Sequence, residues 1–197
     1  MKIDRAQIVR EALVLLKEVG LDKMSTRALA ARLDVQQPAL YWHFKNKRAL
    51  MDAMNAEMMR SSHLYRVPRD GDDWRSYLRN HSVSFRQAML SYRDGARVHA
   101  GSRAEASDVD VADRQLEFLI AQGFDGRQAL KMLVTLARFT VGFVLEEQAE
   151  ADHPPELPNE TTSPSPLLSA AFEDYGTLSQ DELFDDGLAA FLDGIGR

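Results

Sequence analysis

Apolar residues recur three and four positions apart along almost the whole chain, and runs of Val, Ile or Thr alternating with polar residues are missing. Side chains return to one face of a helix at that spacing, whereas a half-buried strand needs a period of two. The chain can therefore build a core only from packed helices. One stripe is Ile8, Ala12, Leu15, Leu16 and Val19; another is Leu130, Leu133, Val134, Ala137, Val141, Val144 and Leu145; a third is Leu183, Leu188, Leu192 and Ile195. Each follows a short polar residue able to accept the orphan N–H groups of a first turn: Asp4 with Gln7, Asp125 with Gln128, and Ser179 with Glu182, all at capping-box spacing. Asp73 opens a further helix carrying Trp74, Tyr77, Leu78, Val83, Phe85 and Leu90, and Gly123 closes one containing Leu116, Phe118, Leu119 and Ile120. The expectation is an all-α protein of about nine or ten helices with no sheet.

With 197 residues, 45% of them hydrophobic and 27% charged, the chain has the composition of a globular protein. Zero cysteines exclude disulfides, thiol catalysis and cysteine-ligated metal centres. The charged start, Met-Lys-Ile-Asp-Arg, is not that of a signal peptide, and no uninterrupted apolar run approaches the ~20 residues that span a bilayer. These features predict a cytoplasmic protein with no membrane partner. The net charge of -6 hides a split: residues 1–50 hold ten basic and five acidic side chains, so the other 147 carry -11. A basic end on an acidic body points to a polyanion partner for that end alone. Five of the seven prolines fall between Pro154 and Pro166, so residues 152–166 read as a long, mobile polar loop.

The first sixty residues contain one long and two short helical segments, Asp4 to Val19, Thr26 to Leu33 and Pro38 to Phe44, separated by Gly20-Leu21-Asp22 and Asp34-Val35-Gln36. Helices that short are unstable alone and must pack on the first. Pro38 suits a first helical position, and Leu40 and Phe44 share one face, which turns Tyr41 and His43 elsewhere. Arg27 precedes this segment and Lys45, Lys47 and Arg48 follow it. A short helix flanked by cations is the layout of a helix-turn-helix that reads a major groove, although a small three-helix bundle with surface lysines gives the same pattern.

The runs Ser25-Thr26-Arg27-Ala28-Leu29-Ala30, Gln37-Pro38-Ala39-Leu40-Tyr41-Trp42-His43-Phe44-Lys45-Asn46-Lys47 and His99-Ala100-Gly101-Ser102-Arg103 together resemble the tetracycline repressor (TetR) family. Tyr-Trp-His-Phe is shared widely. More specific are Ser91 to His99 and Phe139 to Gln148, which extend the resemblance through the body to the tetracycline-responsive repressors. It implies a homodimer with a helix-turn-helix DNA-binding domain over residues 1–46 and a ligand-binding and dimerisation domain over 47–197. It also implies binding to double-stranded DNA at a palindromic operator and release by a small-molecule inducer. Arg27, Gln37, Pro38, Ala39, Tyr41, Trp42, His43 and Lys47 match the family's base and phosphate contacts. Arg27 and Gln37 suit guanine and adenine edges, and Pro38 a thymine methyl. Ala39 stands where the family has threonine and Gln36 where it often has glutamate, so the operator is expected to differ.

In the body, His63, His81, Phe85, His99, Ser102, Arg103, Gln115 and Glu146 match positions around a magnesium-chelated tetracycline. The resemblance makes His99 a direct metal ligand and has Glu146 act through a metal-bound water. One imidazole and one carboxylate hold Mg2+ only if the ligand adds oxygens, so no metal or other cofactor is expected without it. Three departures stand out: His81 for asparagine, Ser102 for threonine, and Ala104 for proline. His81 matters most, because asparagine offers a donor and an acceptor from one amide and neutral histidine offers them on opposite ring edges. A different planar ligand therefore stays open, as does a DNA-binding dimer with no inducer. No enzyme is expected: there is no nucleophile with a base partner, no phosphate-binding glycine loop and no HExxH spacing. Arg138 and Glu146 are spaced to pair along one helix face. The apolar residues Leu167, Leu168, Phe172, Leu183, Leu188 and Leu192 read as mostly core and partly a dimer four-helix bundle.

Overall fold

A computed structural model describes residues 3–103, 106–152 and 165–195. The described residues form ten helices and no strand: α1 (Arg5–Lys23), α2 (Thr26–Arg32), α3 (Pro38–Tyr41), α4 (Lys47–Ser62), α5 (Trp74–Leu90), α6 (Gly95–Ala100), α7 (Ala106–Ala121), α8 (Gly126–Asp152), α9 (Pro166–Tyr175) and α10 (Gln180–Ile195). They form two compact units divided after Gln148. Ala104, and residues 153–164 of the proline-rich stretch, lie outside the described residues.

The expected caps form. Asp4 accepts from the Gln7 N–H at 2.7 Å, Asp125 and Gln128 close a reciprocal pair at 2.7 and 3.0 Å, and Ser179 and Glu182 do the same at 3.2 and 2.8 Å. Asp73 caps α5 in a full capping box with Ser76. Each cap satisfies donors that would otherwise have no partner, an effect of ~1 kcal/mol per helix start.

In the first unit α1 packs on α2 and α4, and α4 packs on α5 and α6. The core runs continuously from Ile8, Ala12 and Leu16 through Leu29, Leu40 and Phe44 to Met54, Met58, Phe85 and Val144. The break expected at Gly20 is a kink inside α1, where Gly20 takes φ 75° and ψ 170° before helix resumes to Lys23. Only glycine adopts that backbone cheaply.

Two expectations about apolar faces need correction. The core face of α8 is Ala129, Met132, Leu136, Thr140 and Val144, while Leu130 and Val134 of the predicted stripe are exposed. Leucine and valine occur on both sides of this helix, so periodicity alone picks no single face. In the second unit, α10 buries Phe184, Leu188 and Leu192 one turn apart, but α9 buries nothing and leaves Leu167, Leu168 and Phe172 exposed. The middle of α8 also has the length and mean hydropathy of a membrane span. Lys131 and Arg138 interrupt it, and its Met132–Leu136–Val144 face packs inward, as in a core helix of a globular protein.

Candidate functional site

The first candidate surface is α3 with its flanks. Ser25 caps α2 by accepting from the Ala28 N–H at 3.1 Å, and α3 opens on Pro38 and closes at Tyr41, three residues short of the predicted Phe44. Leu40 and Phe44 are buried beneath it as expected. The Gln37 Nε2 donates to Thr26 Oγ1 at 2.8 Å, which ties the start of α3 to α2. Lys47, in the first turn of α4, donates from Nζ to the Met24 carbonyl at 3.1 Å. Arg27, Pro38, Tyr41, Trp42 and Lys47 are exposed, and Ala39 and His43 are half-buried. Trp42 is 89% exposed, a large aromatic surface with nothing of its own chain to cover it.

The second candidate is an open cavity of about 320 Å³ lined by α4, the α4–α5 connection, α5, the end of α6, α7 and α8. Six of the sequence-predicted ligand residues line it: His63, His81, Phe85, His99, Ser102 and Gln115. Arg103 and Glu146 do not. Arg103 is exposed and donates its backbone N–H to Asp52 at 2.8 Å, and Glu146 lies on an exposed position of α8. Among the described residues Arg138 and Glu146 form no pair; Glu147 is instead the acid turned toward α5, where it meets Arg86 at 2.7 Å.

Three imidazoles surround Phe85, with ring centroids 4.7 Å apart for His63–His81, 5.5 Å for His63–Phe85 and 4.9 Å for Phe85–His99. His99 Nδ1 sits 3.0 Å from Asn55 Oδ1 and His81 Nδ1 3.1 Å from the Tyr65 carbonyl. Both partners are acceptors, so Nδ1 carries the proton in each ring and Nε2 keeps its lone pair. His63 Nδ1 meets Ser84 Oγ at 3.0 Å, and that hydroxyl also accepts the Tyr65 N–H. Burial keeps all three rings neutral: it pushes His63 down to about 2, with the nearby His81 and Arg66 adding to the effect, pushes His81 down to about 4, and lowers His99. A neutral imidazole whose other nitrogen is fixed by a neighbour is the state that ligates a metal. Among the described residues no three His, Asp or Glu side chains converge on one point, so a hard cation at His99 needs oxygens from a bound ligand.

Several residues of this wall escaped the sequence reading. Asn55 is 6% exposed among the buried Met54, Met58 and Met59 of α4, and a polar residue at a core position of a methionine-rich helix was a usable signal. Arg66 and Asp108, paired at 2.6 Å across the cavity wall, gave none, because they come from separate elements.

The pocket is also linked through α6 to α1 of the N-terminal segment α1–α3, the expected DNA-reading head. His99 is near its C-terminal end, where Ser102 Oγ donates to the His99 carbonyl at 2.8 Å. At its other end Asp94, in the left-handed region at φ 56°, accepts the Leu21 N–H on Oδ2 at 2.7 Å, and Arg97 bridges Asp94 and Asp22. Gly20 lies directly beneath: a Cβ there would stand 3.0 Å from the Asp94 carboxylate.

Comparison with known proteins decides the kinship. Residues 8–54 match the family described as bacterial regulatory proteins of the tetR family, and residues 67–197 match the tetracyclin repressor-like C-terminal domain. The chain belongs to the tetracycline repressor family. It is 49% identical to the class A tetracycline repressor protein from transposon 1721 of Escherichia coli, over 100% of this chain and 92% of that one. Among solved structures, TetR from Acinetobacter baumannii AYE superposes with a TM-score of 0.84 at 42% identity, covering 100% of this chain and 98% of that chain. A class A TetR in complex with 5a,6-anhydrotetracycline and magnesium superposes at 0.80 with 43% identity, covering 98% of both. The all-α expectation and the family resemblance are thereby borne out, and the chain is a ligand-responsive transcriptional repressor of the TetR family.

Proposed function

We propose that the chain represses transcription as a homodimer on a palindromic operator and is released by a tetracycline-like molecule carrying Mg2+. The observation that carries the ligand half is His99, held by Asn55 with its Nε2 lone pair available in a residue of the cavity wall. The cation, when bound, supplies a positive centre that ties the ligand's oxygens to the His99 imidazole. The chain's own residues do the rest. Phe85 and the neutral His63 and His81 provide flat, uncharged faces for a planar body, and Gln115, which donates Nε2–H to the Arg66 carbonyl at 2.8 Å, keeps its amide oxygen for a polar edge. Glu146 enters only through water, if the exposed end of α8 turns toward the ligand.

The DNA half rests on α3, with Arg27, Gln37, Pro38, Ala39, Tyr41, Trp42, His43 and Lys47 on its surface and flanks. Two such helices in a dimer would meet successive major grooves about 34–36 Å apart. Ligand at His99 acts on the short α6, whose far end holds Leu21 and Asp22 of the reading head, and on α4, which supplies both Asn55 and the first turn beside α3.

The test is a fluorescence titration with tetracycline, with and without magnesium, beside operator binding by anisotropy. Wild type should bind in a magnesium-dependent way and lose operator affinity on saturation. His99→Ala should lose ligand affinity at least 100-fold and keep operator affinity; unchanged induction in His99→Ala overturns the assignment. One observation favours a second ligand class: His81 presents an acceptor where a matching asparagine presents both polarities, which suits a planar molecule with a donor at that edge.

A further inference from the structure

Among the described residues that line the histidine pocket, charge is carried by Arg66 and Asp108, the three imidazoles being neutral. The two meet at 2.6 Å in the pocket wall, with side chains 23% and 26% exposed. Arg66 belongs to the connection between α4 and α5, and Asp108 to the first turn of α7. The backbone at Arg66 is fixed, because its carbonyl accepts from the Tyr77 hydroxyl at 3.1 Å and from Gln115 Nε2 at 2.8 Å. The carbonyl just before it, that of Tyr65, holds His81, and the hydroxyl that takes the Tyr65 N–H also meets His63. Among the described residues the Arg66 guanidinium bonds through Nη2 alone, so its remaining N–H donors stay open to a ligand. An ion pair is neutral from afar and a dipole at close range, and a cleft with low-dielectric walls strengthens its field. Burial is the largest influence on the three imidazoles; beyond it, the Arg66 charge acts on His63 and His81, and the Asp108 charge on His99. The positive end of the pair thus borders the His63–His81 side of the pocket and the negative end the His99 side.

We infer that the Arg66–Asp108 pair selects the inducer by its charge pattern: a planar molecule with cation-chelating oxygens at the His99 end and an ionised acidic group, without a cation beside it, at the His63–His81 end. The inference rests on the ligand reading proposed above and narrows it. The Asp108 carboxylate favours a cation held at His99 by its charge, without having to ligate it. At the other end Arg66 keeps Asp108 on Nη2 and offers its other N–H groups to an enolate or carboxylate, a charge-assisted bond. A positive group placed there meets the guanidinium instead and is disfavoured, so the pair discriminates by repulsion as well as by attraction.

Tetracycline supplies the comparison, because the ring away from its chelating keto–enol edge carries both an enolate and a dimethylammonium group. The experiment titrates the full chain, with magnesium at fixed ionic strength, by fluorescence with tetracycline and with dedimethylaminotetracycline, the same molecule without the ammonium. The quantity read is the ratio of the two affinities within one variant, so a general loosening of the pocket cancels. The ratio in favour of the analogue should be at least tenfold higher in wild type than in the neutral, nearly isosteric double variant Arg66→Gln with Asp108→Asn, about the effect of one charge-assisted bond. Arg66→Gln alone should lower it as well, and Arg66→Lys, which keeps the charge, should hold it within about threefold of wild type. Asp108→Asn alone should raise the magnesium concentration needed for half-saturation at least fivefold. Circular dichroism checks that each variant folds, and the single variants carry the test if the double one does not. A ratio that the neutral variants leave unchanged, while wild type binds both ligands and His99→Ala binds neither, overturns this inference alone and leaves the pair as a tie between the connection and α7. Absence of magnesium-dependent binding in wild type overturns the ligand reading, and this inference with it.

Discussion

His81 concentrates what distinguishes this chain at the level of single residues. Its Nδ1–H is spent on the Tyr65 carbonyl, so its contribution to a ligand is one acceptor, Nε2. An asparagine there would add a donor as well. A ligand edge needing that donor forgoes one hydrogen bond, ~1 kcal/mol or somewhat more. His81→Asn should therefore raise affinity for magnesium-tetracycline by about tenfold, read by the same fluorescence titration; an unchanged or lower affinity would show that the imidazole already serves the ligand. The histidines also set a pH dependence. His63 at about 2 and His81 at about 4 lie below the ordinary value of 6.5, so both bind protons more readily when the chain is unfolded. Their contribution is complete above pH 6.5 and is lost as pH falls toward the folded values, each by up to about 1.4 kcal/mol per pH unit. Urea denaturation at pH 7, 6 and 5 should show stability falling over that interval, and His81→Asn should make the fall shallower by about one proton's worth. An identical slope in the variant would mean that His81 is not buried in its neutral form.

Among the helices, α6 is the shortest route between pocket and reading head: six residues with His99 near one end and the Asp94–Leu21 bond at the other. A helix this short cannot hold its shape alone, so what grips its ends decides its position. Asp94→Gly removes the carboxylate while tolerating the left-handed φ, and leaves the residues of both candidate surfaces in place. Ligand affinity and ligand-free operator affinity should each stay within a few-fold of wild type, while the ligand-induced drop in operator affinity shrinks at least fivefold, a coupling loss of ~1 kcal/mol. Full induction in Asp94→Gly would shift the coupling to α4. How far these elements were legible in sequence follows from where their information sits. The starts of α1, α5, α8 and α10 could be read because Asp4, Asp73, Asp125 and Ser179 sit within three residues of the N–H groups they cap. The histidine cluster was assembled by resemblance alone, since His63, His81 and His99 come from three elements and no local pattern unites them. The core face of α8 was misread because Leu130 and Val134 are as apolar as Leu133 and Leu136, and only packing separates them. The pairings of Asn55 and Asp108 stayed hidden for a related reason: their partners, His99 and Arg66, are 44 and 42 residues away.

For the molecule as a whole, the division of charge and the bare face of α9 bear on the same question. Leu168, Phe172 and Tyr175 recur at helical spacing and are 46%, 60% and 55% exposed, and α9 has no buried residue to hold it in place. A helix with an apolar stripe and no core contact needs a covering surface, and a second copy of the chain supplies one in the proposed dimer. The ten basic side chains of residues 1–50 then count twice on DNA. Operator affinity of the dimer should fall with salt along a log–log line whose slope reports the phosphates neutralised by both heads, at about 0.9 per phosphate. Leu168→Glu combined with Phe172→Glu places charge on that stripe without touching α3. The variant should sediment near the 22.2 kDa of one chain where wild type sediments near twice that mass. Its operator affinity should drop at least 100-fold and its salt slope should halve, because one head meets half the phosphates. A variant that stays dimeric would place the interface elsewhere. A monomer with the full salt slope would mean that a single basic end already makes every phosphate contact, and the second reading head would then serve only to choose between sequences.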